Sequence, residues 1–140
     1  MPCRRLGTAS LAVFVALSIL PQAAPAGQRL ITNPVAPAGH DPWLIQADGV
    51  YHYCYSHKGG IWVNSGLRIE RTVQFDGRQV WRPQRGMPYS RELWAPELHR
   101  LEDRWYIYVA ADDGRNETHR MYVLEAQTDD PAGDYVMRGK

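Results

Sequence analysis

Pro42-Trp43-Leu44-Ile45-Gln46-Ala47-Asp48-Gly49-Val50-Tyr51-His52-Tyr53-Cys54-Tyr55-Ser56 can be laid without a gap on Pro96-Glu97-Leu98-His99-Arg100-Leu101-Glu102-Asp103-Arg104-Trp105-Tyr106-Ile107-Tyr108-Val109-Ala110. The offset is 96 − 42 = 54 residues, and it aligns Pro with Pro, Leu with Leu and Tyr51 with Trp105. An acidic turn residue also meets another. Each copy reads as a short strand, a tight turn and a second strand rich in aromatic residues. A repeat period of about 40 to 50 residues, with four strands per unit, is the pattern of propeller blades. A β-sandwich would also supply aromatic hairpins, but it does not require the shared frame from proline to aromatic strand.

Outside the repeat the pattern is the same. Short runs of Tyr, Trp, Val and Ile alternate with Gly, Pro, Asp and Asn, and no long stretch keeps apolar residues at helical spacing. Strands are expected at Val50 to Ser56, Ile61 to Asn64, Arg71 to Phe75 and Arg78 to Trp81. More are expected at Leu98 to Leu101, Arg104 to Ala110, His119 to Glu125 and Asp134 to Arg138. Asp76-Gly77 is expected to close a hairpin between two of these strands.

The first residues follow a different logic. Arg4 and Arg5 precede an apolar run from Leu11 to Leu20, and Ala24-Pro25-Ala26 follows as a small-residue cleavage signal. This order predicts a secretory signal peptide over residues 1–26 and a secreted, extracellular or periplasmic product. The run is too short for a permanent membrane anchor. Removing those residues takes two arginines and no acid from the 16 basic and 15 acidic side chains, leaving 14 − 15 = −1. Such a balance gives no electrostatic footprint for nucleic acid and no polybasic membrane contact. Of the two cysteines, Cys3 leaves with the signal. Cys54 then has no partner for an internal disulfide, and its setting among tyrosines predicts a small buried apolar side chain.

Two segments hold residues suited to chemistry. In Gly39-His40-Asp41-Pro42-Trp43, Pro42 is expected to push Asp41 toward an extended backbone, presenting its carboxylate from the start of a strand. In a propeller that strand lies nearest the axis, where Trp43 would offer an apolar face to a sugar ring. Asp-Pro also begins ordinary turns. In Tyr89-Ser90-Arg91-Glu92-Leu93-Trp94-Ala95-Pro96-Glu97-Leu98-His99, the repeat puts Pro96 where Pro42 stands, so Glu97 is expected near the axis with Trp94 beside it. A packing Trp and solvated charges would account for the same residues.

These segments resemble glycoside hydrolase family 43. Asn33-Pro34-Val35, His40-Asp41-Pro42 and Asp48-Gly49-Val50-Tyr51-His52-Tyr53 look like the family's opening blade. Trp94-Ala95-Pro96-Glu97-Leu98-His99 and Arg104-Trp105-Tyr106-Ile107-Tyr108 look like its second. Ala110-Ala111-Asp112-Asp113-Gly114 and His119-Arg120-Met121-Tyr122-Val123-Leu124 extend the likeness, most closely to its arabinofuranosidases. The resemblance implies an all-β, five-bladed β-propeller, of which residues 27–140 would form about the first two blades.

It also implies an inverting glycosidase acting on arabinose- or xylose-containing cell-wall polysaccharides such as arabinan and arabinoxylan. Asp41 matches the family's general base. The general acid, a Glu, and a third carboxylate that tunes it would lie beyond Lys140, leaving the chain as given without its full machinery. Trp43, Trp94, Glu97 and His119 are then candidate substrate-binding residues, with Glu97 lining or supporting the pocket rather than acting as the acid. A structural role serves His119 equally well. No organic cofactor is implied; a calcium ion on the axis is allowed, though no ligand cluster for it stands out here. The alternatives are a non-catalytic carbohydrate-binding propeller and a family 32 fructosidase, whose opening blade carries Asn-Asp-Pro-Asn where His40-Asp41-Pro42-Trp43 stands here.

Overall fold

The computed structural model describes Ile31, residues 33–36 and residues 41–140. The expected signal peptide and His40 lie outside them. The described chain forms two four-stranded antiparallel sheets, each a meander in sequence order. The first holds β1 (Trp43–Ala47), β2 (Val50–His57), β3 (Gly60–Gly66) and β4 (Arg78–Trp81). The second holds β5 (Arg91–Leu101), β6 (Arg104–Asp112), β7 (Arg120–Ala126) and β8 (Tyr135–Gly139).

The sequence repeat is also a repeat of backbone geometry. Trp43 pairs with Cys54 and Ala47 with Val50 in the first sheet; Glu97 pairs with Tyr108 and Leu101 with Arg104 in the second. Adding 54 to each number of the first set gives the second. The turns match as well. Asp48 and Gly49 have φ of 50° and 79°, and Glu102 and Asp103 have 47° and 62°. Positive φ at both central residues is the two-residue hairpin turn whose twist suits its strands.

Only the first turn has glycine at its second position. Asp103→Gly is therefore expected to stabilise the protein by about 0.5 to 1 kcal/mol, since a Cβ in the left-handed region is strained. The Arg100–Asp103 contact it removes is an exposed ion pair and contributes little. A thermal melt of the variant beside the parent, showing a rise in Tm, checks this.

The two sheets share one core. Cys54, Ile61, Val63 and Val80 from the first pack with Leu98, Trp105, Ile107, Val109, Tyr122 and Leu124 from the second. Cys54 is fully buried, as its sequence setting suggested, and that burial pushes its thiol pKa up. Alternation along β2 sends Tyr53 and Tyr55 to the opposite face, where Val73, Phe75 and Ile69 cover them. The cover is the short helix α1 (Ile69–Thr72) and the loop that follows it.

Here the structure departs from the expected strand at Arg71 to Phe75 and the hairpin at Asp76-Gly77. Thr72 returns its hydroxyl to the carbonyl of Arg68, the backbone closes a helical turn, and Phe75 reaches the tyrosines from a loop. Gly77 serves close approach rather than a turn. Its N–H donates to Tyr55 Oη at 3.1 Å, and a Cβ there would sit 2.5 Å from the carbonyl oxygen of Val63.

In the second sheet Trp105, Ile107 and Val109 are buried against the first, whereas Tyr106, Tyr108 and Val123 on the other face are only half-buried. Glu125, buried in β7, is clasped by Arg104 of β6 and Arg138 of β8. Burial opposes ionisation, but the two guanidinium groups hold its carboxyl below the usual value.

Candidate functional site

β1 and β5 are the first strands of their sheets and touch each other directly. The Trp43 indole bridges them: Nε1 donates to the carbonyl of Leu98 at 2.7 Å, and its ring lies 4.8 Å from that of His99. His99 in turn meets Glu97 Oε2 at 3.2 Å and the edge of Tyr108 at 5.4 Å between centroids. Trp43, Glu97, His99 and Tyr108 thus form one polar–aromatic cluster at the inner edge of the two sheets.

Asp41 stands two residues before β1 and is exposed on a bend. Its backbone is not extended: φ is 49°. Ala95, at the same place in the repeat, has φ of 44°, again just before a proline. Asp41 leads into β1 and Ala95 lies within β5, yet both are left-handed, and that shared geometry overrides the usual influence of a following proline. Asp tolerates this region through its short polar side chain; Ala does so only under strain, of about 1 kcal/mol.

The strain at Ala95 belongs to a larger irregularity. The pairing of β5 with β6 slips between Arg91 and Trp94, and again between Trp94 and Glu97. Glu92 and Ala95 are the left-handed residues in these two slips. Bulges turn side chains away from the regular alternation, and they gather near functional sites. Here the result is that Trp94 projects outward, 46% exposed, at the same end of the sheets as Asp41.

Trp94 is held from two sides. Its Nε1 donates to Glu92 Oε2 at 3.2 Å, and its ring lies 4.1 Å from His119 at a tilt of 32°. His119 enters from the 3₁₀ turn Asn116–Thr118, immediately before β7. Its Nδ1 lies 2.9 Å from Asp112 Oδ2, and the other oxygen of Asp112 accepts from Gly114 N–H at 2.8 Å. Asp112 is 1% exposed, so the His119 Nδ1 proton is directed into a buried carboxylate. His119 Nε2 is buried with no hydrogen-bond partner among the described residues.

Of the residues singled out in the sequence, the structure brings Trp94 and His119 together and places Trp43 and Glu97 on either side of His99. His99, Tyr108, Asp112 and Glu92 join them without having been selected. His99 was legible in the Trp-Ala-Pro-Glu-Leu-His segment. Asp112 was present in Ala110-Ala111-Asp112-Asp113-Gly114, but nothing in that run marks which aspartate is buried. Among the described residues no three His, Cys, Asp or Glu side chains are grouped to hold a metal ion. No helix among the described residues is long and apolar enough to cross a membrane.

A sequence profile of glycosyl hydrolases family 43 matches residues 31–140. The chain belongs to this family. Its relatives include extracellular exo-α-(1→5)-L-arabinofuranosidases of Streptomyces avermitilis, 28% identical over 97% of this chain, and of Streptomyces chartreusis, 30% identical over 94%. The chain spans 30% and 42% of the length of those two proteins. An α-L-arabinofuranosidase from Lactobacillus brevis superposes with a TM-score of 0.66 at 27% identity, over 77% of this chain and 38% of that one. An endo-arabinase from Bacteroides thetaiotaomicron shares the fold at a TM-score of 0.60. The two sheets are blades of the family's five-bladed propeller, and the chain covers part of the ring.

Proposed function

We propose that this chain is the N-terminal part of a secreted, inverting α-L-arabinofuranosidase that removes arabinosyl units from arabinan or arabinoxylan, with Asp41 as general base. The observation that carries the reading is the shared end of the two blades. Asp41 stands at the entrance to β1 and Trp94 projects from the early part of β5, within a family 43 fold whose relatives bear arabinofuranosidase names.

Asp41 would take a proton from the water attacking the anomeric carbon. Trp94 would present an aromatic face to the sugar, while Trp43 and Glu97 would wall the site beside His99. His119 would act beneath Trp94 rather than on substrate. The carboxylic acid that protonates the leaving oxygen is assigned to chain beyond residue 140, as is the third carboxylate. In an inverting pair the two carboxyl groups stand about 6.5 to 9.5 Å apart, leaving room for the water. Residues 1–140 alone are accordingly expected to release no sugar. The half-buried Tyr106, Tyr108 and Val123 support this reading, since a third blade would cover them.

Proton NMR of the complete enzyme acting on an α-arabinofuranoside tests the proposal. The first-formed arabinose is expected as the β anomer. An α product would replace inversion with retention, and failure to cleave any arabinoside or xyloside would leave the sugar-binding alternative standing.

A further inference from the structure

A cleft of about 760 Å³ opens between the blades at the Asp41 end and adjoins the site described above at Glu92. Its walls are the tip of the β2–β3 hairpin, the segment joining the blades and the start of β5. Lys58, Arg82, Arg85 and Arg91 line it, against Glu92 and Asp113, a local balance of 4 − 2 = +2. The whole chain carries only +1, so the cleft concentrates positive charge that is not spread over the surface.

The partners of these groups sharpen the picture. Arg82 donates to the carbonyl of Lys58 at 2.9 Å and is thereby fixed across the mouth. Lys58, Arg85 and Arg91 make no ion pair among the described residues, whereas both acids are occupied. Glu92 accepts from Trp94, and Asp113 is gripped by Arg115 at 2.8 Å and by the Thr118 hydroxyl at 2.7 Å. Those bonds hold the Asp113 carboxyl far below its usual range, so it stays ionised and committed to Arg115. Three uncommitted cations thus face a concavity whose wall, at Glu92, is hydrogen-bonded to the Trp94 indole.

We propose that this cleft is a subsite for a carboxylate-bearing sugar, a uronosyl residue of the polysaccharide from which the arabinosyl unit is removed. The assignment rests on the proposed glycosidase activity and adds to it a preference for an acidic substrate. A planar carboxylate suits the forked donors of Arg85 and Arg91, and a sugar stacked on Trp94 would place a neighbouring residue within the cleft. Such rim charges act on encounter and register more than on the chemical step.

The test uses the complete enzyme and three substrates bearing the same arabinosyl unit: a neutral oligosaccharide, one containing a uronosyl residue, and that same one with its carboxyl reduced to the alcohol. At low salt, kcat/KM for the acidic substrate is expected to exceed that for its reduced form by about tenfold. The advantage should shrink as salt rises. The combined variant Lys58→Gln, Arg85→Gln, Arg91→Gln should erase the advantage and leave the neutral rate unchanged.

Equal rates on the acidic and reduced substrates, or an advantage that survives in the variant, would overturn the subsite. Inorganic phosphate competing as well as free uronate at equal ionic strength would overturn the sugar assignment, leaving general anion attraction. If no substrate is cleaved, the proposed activity fails separately. Calorimetric binding of the acidic oligosaccharide against its reduced form then decides the subsite by itself.

Discussion

Asp41→Asn in the complete enzyme is expected to lower kcat for arabinose release by about 10³-fold while leaving the thermal melt within a degree or two of the parent. The substitution keeps shape and removes the basic oxygen. It also keeps the backbone: Asp41 sits at φ 49°, and Asn enters the left-handed region as readily as Asp. The residue is exposed on its bend, so no buried charge is uncovered. Stability and catalysis should therefore separate cleanly at this position.

A base and a mere binding group can be told apart by adding azide. Azide needs no deprotonation to attack, so it is expected to restore turnover in Asp41→Asn, giving the inverted glycosyl azide. Full activity in Asp41→Asn would remove the base assignment. So would a large loss that azide leaves untouched while KM alone rises.

The frame that made this position visible was carried by local chemistry. Proline at 42 and 96, an acidic residue before each hairpin and aromatic residues after it set strand, turn and strand with one register, and a single offset reproduces all of it. What the sequence hid depends on contacts made at a distance. Arg71 to Phe75 carries strand-forming residues, yet Thr72 caps back onto Arg68 and the segment folds down over Tyr53 and Tyr55. Asp76-Gly77 has the composition of a hairpin, but its glycine is required by the carbonyl of Val63 on β3, many residues earlier.

The site divides along the same line. Asp41 stands out in the sequence because its Asp-Pro pair opens the first copy of the repeat, but its left-handed backbone, shared with Ala95, does not. The two slips in β5 do not either, since a strand with one residue too many looks like any other until its partner is known. Those slips turn Trp94 outward and give it Glu92 as a partner, so the sequence pointed to the tryptophan without the geometry that makes it available.

The second large effect is expected at Asp112, through which His119 and Trp94 are held. Asp112→Ala removes the acceptor of two hydrogen bonds, from the exposed Gly114 N–H and from Nδ1–H of the half-buried His119, each contributing about 1 kcal/mol where water can replace the carboxylate. Stability should fall by about 2 kcal/mol, with the loss concentrated in the turn from Asp113 to Thr118. Below the melt of the variant, the loosened His119 no longer fixes the ring 4.1 Å away, and KM should rise about tenfold with a smaller change in kcat. Asp112→Asn, which keeps one acceptor oxygen, should lie between. Trp94→Ala provides the decisive background. If Asp112 acts by positioning that ring, its effect on KM disappears once the ring is gone, while its effect on the melt persists. The same tenfold rise in KM without Trp94 would show that the buried carboxylate acts on the site by some route other than the indole.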